Sequence, residues 1–393
     1  MAVGSVEPPY NERMAPRHYM DHNATTPVLP EVLAAVTEEL NTFPGNPSSA
    51  HGEGRRARQR VAHARSQVAA LLGVAPGDVV FTAGGTEANA MGLWGALAAR
   101  GFSDTRLLVS AVEHPAVIAQ ARVLEGLGVK VAELAVDGTG TVRLDQLEEF
   151  LDRHPGSVVA VQVANSETGT LQDVGGVAAL VRGFGGHLHC DAVQAVAKVP
   201  VDVGLWGADT VALAAHKIGG PPGVGALVAG RSALLRPLVA GAQEGHRRGG
   251  SENVPGIVGF GVAAELARER LGAWAATAGP RDFLEETVVA AASRVRCWGR
   301  GGSRLPNTTL LGFPPPAQAD VLVAALDLDG FAVSSGPACS SGLGKGSQVV
   351  TAMGGTREQA RGTVRVSLGP GTGMAAVAAL KDALLRLLDG GES

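Results

Sequence analysis

The sequence predicts an α/β fold: a large domain built on a mainly parallel sheet covered by helices, then a smaller α+β domain at the C-terminus. Three observations carry this. Short apolar runs recur at 79–82, 107–109, 131–136, 158–163, 187–190, 210–214 and 225–228. Helical patterns lie between several of them, which is the signature of βα units and a parallel sheet buried on both faces. From about Val262 the texture changes to helix, strand, helix, a strand at 363–368 and a last helix at 374–388. Taken in order, Val61, Ala64, Val68, Leu71 and Leu72 recur at helical spacing, so 55–72 is a helix. Val79 to Thr82 is a strand, Ala83-Gly84-Gly85 a turn, and Thr86 opens a helix whose Ala90, Leu93, Trp94 and Leu97 share a face. A further helix is expected at 144–151. The domains are expected at 28–262 and 263–393, with 1–27 packing near the second.

The chain has 393 residues, 33 Lys+Arg against 37 Asp+Glu, and a net charge of -4. That balance excludes a phosphate-backbone binder, which needs a basic excess. A hydrophobic fraction of 45% is enough for a sizeable core. Cys190, Cys297 and Cys339 are odd in number and form no C-x-x-C, so neither a disulfide framework nor a zinc ribbon is expected. Reduced thiols point to the cytoplasm. Residues 1–20 contain no apolar stretch of leader type, and no run is long enough to span a membrane.

Three strand ends carry candidate chemistry. Gly85 and Thr86 lie at a helix N-terminus, where free N–H groups suit a phosphate, although a structural turn reads equally well. Lys217 follows the apolar strand 211–215; it is either a snorkelling surface lysine or a partly desolvated amine able to form a Schiff base. Asp191 ends another strand and either caps a helix or faces a cofactor cation. All three fall at the carboxyl edge of one parallel sheet, where open α/β folds bind ligands. A phosphate cradle, an amine and an acid for a ring nitrogen together specify pyridoxal 5'-phosphate.

The sequence resembles the cysteine desulfurases, NifS-like members of the class V aminotransferase family of fold-type I pyridoxal-phosphate enzymes. The resemblance rests on Tyr19-Met20-Asp21-His22-Asn23-Ala24-Thr25-Thr26-Pro27, Gly45 to Ser49, Phe81 to Asn89, Glu113-His114, Cys190 to Gln194, His216-Lys217, Ser251 to Pro255, Ser334 to Gly342 and Arg365 to Gly369. It implies that Lys217 holds the cofactor covalently, Asp191 keeps its ring nitrogen protonated, and His114 lies over the ring and handles protons. Gln194 would reach the ring hydroxyl. Thr86, the Gly85 backbone and His216 would hold the phosphate, and Ser251 would reach the phosphate of the partner in a homodimer. Asn307 and Arg365 would bind the substrate carboxylate. Cys339, in a segment of small residues, would be the nucleophile that takes sulfur from L-cysteine and passes it to an acceptor protein, as in iron-sulfur cluster assembly or thiolation.

This chain departs from the family pattern at several places. Ser166 stands where an asparagine usually contacts the ring hydroxyl, with Asn165 one position earlier. Ala214 replaces a serine that contacts the phosphate. Gly245-His246-Arg247-Arg248 replaces Arg-Gly-Arg-Arg, and Pro370 stands where an arginine is common. The alternatives are a selenocysteine lyase or other biosynthetic β-lyase, and a catalytically degenerate scaffold or sulfur-acceptor partner.

Overall fold

The computed structural model describes residues 17–42, 45–230, 233–336 and 346–389. Cys339 lies outside the described residues.

The large sheet has seven strands in the order β2-β8-β7-β6-β5-β3-β4. They are β2 (Val79–Thr82), β3 (Arg106–Ser110), β4 (Lys130–Leu134), β5 (Val158–Ala160), β6 (His187–Asp191), β7 (Thr210–Ala214) and β8 (Gly225–Ala229). Only β8 runs antiparallel to its neighbours β2 and β7, so the carboxyl ends of β2, β6 and β7 share one edge.

Strand periodicity explains the unbroken apolar runs. Leu107 and Val109 face one side, where they pack with Leu93 and Leu97 of α3 (Gly85–Arg100) and Val117 and Leu124 of α4 (Pro115–Gly126). Leu108 faces the opposite side and joins Val61, Val68 and Leu72 of α2 (Gly52–Leu72) in the main core, with Val32 of α1 (Pro30–Thr42). Both faces are buried, so neither needs polar residues.

The expected elements are present, with shifted ends. α2 begins at Gly52 because the His51 side chain accepts the Gly54 N–H as a cap. The run 158–163 leaves β3 after Ala160, where the Gln162 N–H is taken by the Glu113 carboxylate, while the Val161 and Val163 N–H groups still donate to the His189 and Asp191 carbonyls of β6. β4 ends at Leu134, and Val136 instead bridges Val142 across a turn.

The second core surrounds an antiparallel sheet of order β12-β10-β9, formed by β9 (Arg296–Trp298), β10 (Thr308–Gly312) and β12 (Thr363–Ser367). β1 (His18–Tyr19) pairs in parallel with β11 (Phe331–Ala332), and Met20 is buried in this second core. Residues 18–20 therefore dock there. The helix Val254–Glu269 runs through position 262 unbroken. That helix packs on α1 and α2, and its Ala263, Ala264 and Ala267 belong to the first core together with Trp274. Apart from Met20, the second core begins at Leu284. Among the described residues no helix is long and apolar enough to cross a membrane.

Candidate active site

The β2 edge ends in a turn that leads directly into α3. Gly85 is required there by close approach: a Cβ would stand 2.8 Å from Val193 Cγ2 and 3.4 Å from the Ala214 Cβ. Thr86 follows in the first turn and is exposed. The first N–H groups of this sixteen-residue helix therefore open at the sheet edge beside Ala214.

Asp191 closes β6 and is buried. Its Oδ1 accepts the Val193 N–H at 2.9 Å and its Oδ2 accepts Asn89 Nδ2 at 2.8 Å. Lys217 lies in a single 3-10 turn, Ala215–Lys217, immediately after β7, and is half-buried. Its Nζ donates to the Ala24 carbonyl at 2.7 Å and to the Asn23 carbonyl. His216 contacts the Thr25 hydroxyl at 3.2 Å, and burial followed by the Lys217 charge pushes its ring down to about 4.

His114 is the N-cap of α4, and its Nδ1 accepts the Ala116 N–H at 3.1 Å. The neutral ring therefore carries its hydrogen on Nε2. Burial lowers its pKa first; Asp191 opposes this, while Lys217 and Arg365 add to it. These four groups consequently share one electrostatic neighbourhood. Arg365, on β12, is buried, with one terminal nitrogen 2.6 Å from Asp21 Oδ1 and the other donating to the Ser166 carbonyl at 3.2 Å. Its Nε is buried with no hydrogen-bond partner among the described residues.

Other expected residues are placed differently. The Ser166 carbonyl, rather than its hydroxyl, is engaged, holding both Arg365 and Asn23. Asn165 is turned inward to fix its own loop through the Glu167 and Thr168 N–H groups. Asn307 is fully buried, with Nδ2 donating to Asn23 Oδ1 at 3.2 Å and to the Leu368 carbonyl at 3.0 Å. Gln194 donates to the Asn23 carbonyl at 2.9 Å. Ser251 is exposed and lines a pocket with Thr82, Ala83 and Arg248. Cys190 lies in the core with its thiol pushed well up, and burial lifts Cys297 to about 12, so neither supplies a thiolate at neutral pH.

Sequence reasoning assigned no role to Asn23, Lys198, Glu113 or Glu167. Asn23 joins the domains, since its side chain meets Lys198 Nζ at 2.7 Å and the Thr308 hydroxyl at 2.9 Å. Lys198 also donates to Gln194 Oε1 at 2.6 Å, and its position four residues after Gln194 was the available signal. The buried Glu113 carboxyl is raised to about 8 by burial, with Asp191 adding to the rise, and one of its oxygens has no hydrogen-bond partner among the described residues. Glu167 accepts the Ser347 hydroxyl at 2.6 Å, and a Cβ on Gly336 would stand 2.9 Å from the same oxygen. The two residues lie on either side of the segment that carries Cys339.

A helix N-terminus, a lysine amine and a buried carboxylate at one sheet edge define the site of an α/β group-transfer enzyme of the aminotransferase type. The chain belongs to the aminotransferase class-V family, whose model matches residues 18–380. It is 41% identical over 377 residues to a cysteine desulfurase of Cereibacter sphaeroides, covering 95% of this chain and 96% of that one. It is 40% identical over 352 residues to a cysteine desulfurase of Trichormus azollae, covering 89% and 87%. The NifS-like protein from Rickettsia africae superposes with a TM-score of 0.85 at 30% identity, covering 95% of this chain and 99% of that one.

Proposed function

We propose that the protein is a pyridoxal-phosphate-dependent cysteine desulfurase that converts L-cysteine to L-alanine and retains the sulfur on Cys339. The observation that carries the reading is the meeting of the α3 N-terminus, Asp191, Lys217, His114 and Arg365 at one sheet edge. The donor set fits the cofactor: helix N–H groups and Thr86 for a dianionic phosphate, Asp191 for a ring nitrogen, and a lysine amine for an aldehyde. When bound, the cofactor supplies an electron sink that makes the substrate Cα–H acidic.

The chain's own residues do the rest. Arg365 offers a guanidinium to the substrate carboxylate, with Asp21 holding the far nitrogen and fixing its direction. The Lys217 amine is the group placed to accept and return a proton at the substrate Cα. His114 presents Nε2–H to the site, because Nδ1 is committed to its helix cap. The ring is thus a hydrogen-bond donor in its neutral form. The Cys339 thiolate attacks the substrate sulfur. One S–S bond forms and one C–S bond breaks, the electron pair of that bond goes to the former Cβ, and a proton there completes alanine. Cysteine plus thiol becomes alanine plus persulfide, with no external oxidant.

The division into two domains belongs to this reading, with the seam between Trp274 and Leu284. So does a homodimer, for which the exposure of Ser251 supports a reach across subunits. The sulfur acceptor is a second protein, and cysteines without a disulfide framework suit the reducing cytoplasm.

The test treats pure protein with L-cysteine and assays alanine, sulfide released by a reductant, and the mass of the peptide containing Cys339. Equal amounts of alanine and sulfide and an adduct of one sulfur atom on Cys339 are expected. Cys339→Ala should keep the cofactor and lose both products. Normal alanine formation by that variant would replace the desulfurase with a β-lyase.

A further inference from the structure

From Asp191 Oδ2 runs a chain of buried polar groups that no part of the reaction uses. Asn89 Nδ2 donates to Asp191 Oδ2 at 2.8 Å, and Asn89 Oδ1 stands 2.9 Å from His189 Nε2. His189 Nδ1 is 3.0 Å from the Thr210 hydroxyl, which is 3.1 Å from His187 Nε2. Asn89 is 2% exposed, His189 and His187 1% each, and Thr210 0%. The chain crosses from α3 through β6 to β7 and ends near Asp209, whose Oδ2 lies 3.9 Å from His187 Nδ1.

The hydrogen positions follow from one end. A carboxylate at Asp191 accepts only, so Asn89 turns its amide nitrogen toward it and its oxygen toward His189. His189 must then carry its hydrogen on Nε2, which leaves Nδ1 to accept. The Thr210 hydroxyl donates to that Nδ1 and accepts from His187 Nε2–H. Every donor in the series points toward Asp191, and aligned hydrogen bonds in a low-dielectric interior polarise one another in the same sense. Both rings are neutral at neutral pH, since burial pushes His187 to about 3 and His189 to about 4. A cation inserted in the series would reverse its direction.

We propose that Thr210 and His187 are positioning residues that direct this hydrogen-bond series onto Asp191 and hold it as the anion that a cofactor ring nitrogen needs. The inference rests on the pyridoxal-phosphate reading above and adds residues that the reading does not use. Neither residue touches the substrate side. Their effect passes through the basicity of one carboxylate oxygen.

The experiment compares cofactor-loaded wild type with Thr210→Val, which keeps the shape and removes the hydroxyl, and Thr210→Ser, which restores it. The readout is the pH midpoint of the visible band of the lysine-bound cofactor, with melting temperature measured in parallel. Losing one net hydrogen bond from the series makes Asp191 more basic, draws the proton from the ring nitrogen, and moves the midpoint upward by about half a pH unit. Thr210→Ser and wild type should share a midpoint. His187→Phe should move it in the same direction by less. A Thr210→Val protein that melts lower but titrates like wild type would overturn the proposal and leave Thr210 a packing residue. A wild type that takes up no cofactor would overturn the functional reading instead, so the two failures are distinct.

Discussion

Ala214 ends β7 with its Cβ 3.4 Å from where a Cβ on Gly85 would stand. A hydroxyl on that atom would therefore lie beside the first turn of α3. Ala214→Ser should tighten phosphate binding, because a charge-assisted hydrogen bond is stronger than a neutral one and contributes about 1.5–3 kcal/mol. A titration of cofactor-free protein with pyridoxal phosphate checks this, and an unchanged affinity would mean that another donor already occupies the place. The sequence carried this residue's meaning because the pattern around His216-Lys217 is local. It could not reveal that Asn307 spends both its N–H groups inside the protein, since one of the partners is Asn23, 284 positions away. Nor could it orient His114, whose preceding position to Pro115 signalled only an end of strand. The Ala116 N–H settles which ring nitrogen faces the site. Cys339 is the reverse case, legible from its setting of small residues and lying outside the described structure.

Among the elements, the strands were legible because both sheet faces are apolar, and their ends were not, because side chains decide them. Glu113 ends the pairing of β5 with β3 by taking the Gln162 N–H, a contact 49 positions long. The turn before Ser251 shows a legible departure acquiring a physical meaning. Glu244, Gly245 and His246 are consecutive left-handed residues, with φ of 51°, 63° and 64°. Glu244 is held there by two bonds to Arg65, at 2.6 and 2.7 Å, and by the Phe81 N–H. His246 is exposed and stands where the family pattern places glycine. A Cβ in the left-handed region costs about 1 kcal/mol, of which glycine's greater freedom in the unfolded chain takes back a part. His246→Gly should thus stabilise the protein by about 0.5 kcal/mol in urea unfolding, with no change in cofactor affinity. A loss of stability would show that the imidazole makes a contact worth more than the strain.

At the scale of the whole molecule, the two cores meet through polar groups. Asn23 is bonded to Gln194, Lys198 and Lys217 of the first unit and to Asn307, Thr308 and Ser367 of the second. Such a hub is invisible to periodicity, which reports only the apolar faces. The response to acid is set by histidines that burial holds in their neutral forms. Burial pushes His22, His189 and His216 down to about 4 and His187 to about 3, and lowers His114 as well. Unfolding returns each to about 6.5, so between pH 6.5 and 4 the unfolded chain binds more protons on these five rings. Lys198, lowered by burial, acts in the same sense. Glu113, Glu167 and Glu252 are raised by burial and act in the opposite sense, holding protons in the folded state that the unfolded chain releases above about 4.5. Five rings outweigh three carboxyls, although His216, the most accessible of the rings, weighs least. Between pH 6.5 and 4 stability therefore falls as the pH drops, by about 1.4 kcal/mol per pH unit for each net proton taken up. Urea unfolding of the cofactor-free protein between pH 7.5 and 5 should give a midpoint that falls steadily below pH 6.5. A midpoint that holds or rises over that interval would mean that the rings are already charged in the folded state. The neutral tautomers on which the Asp191 hydrogen-bond series depends would then be lost with it.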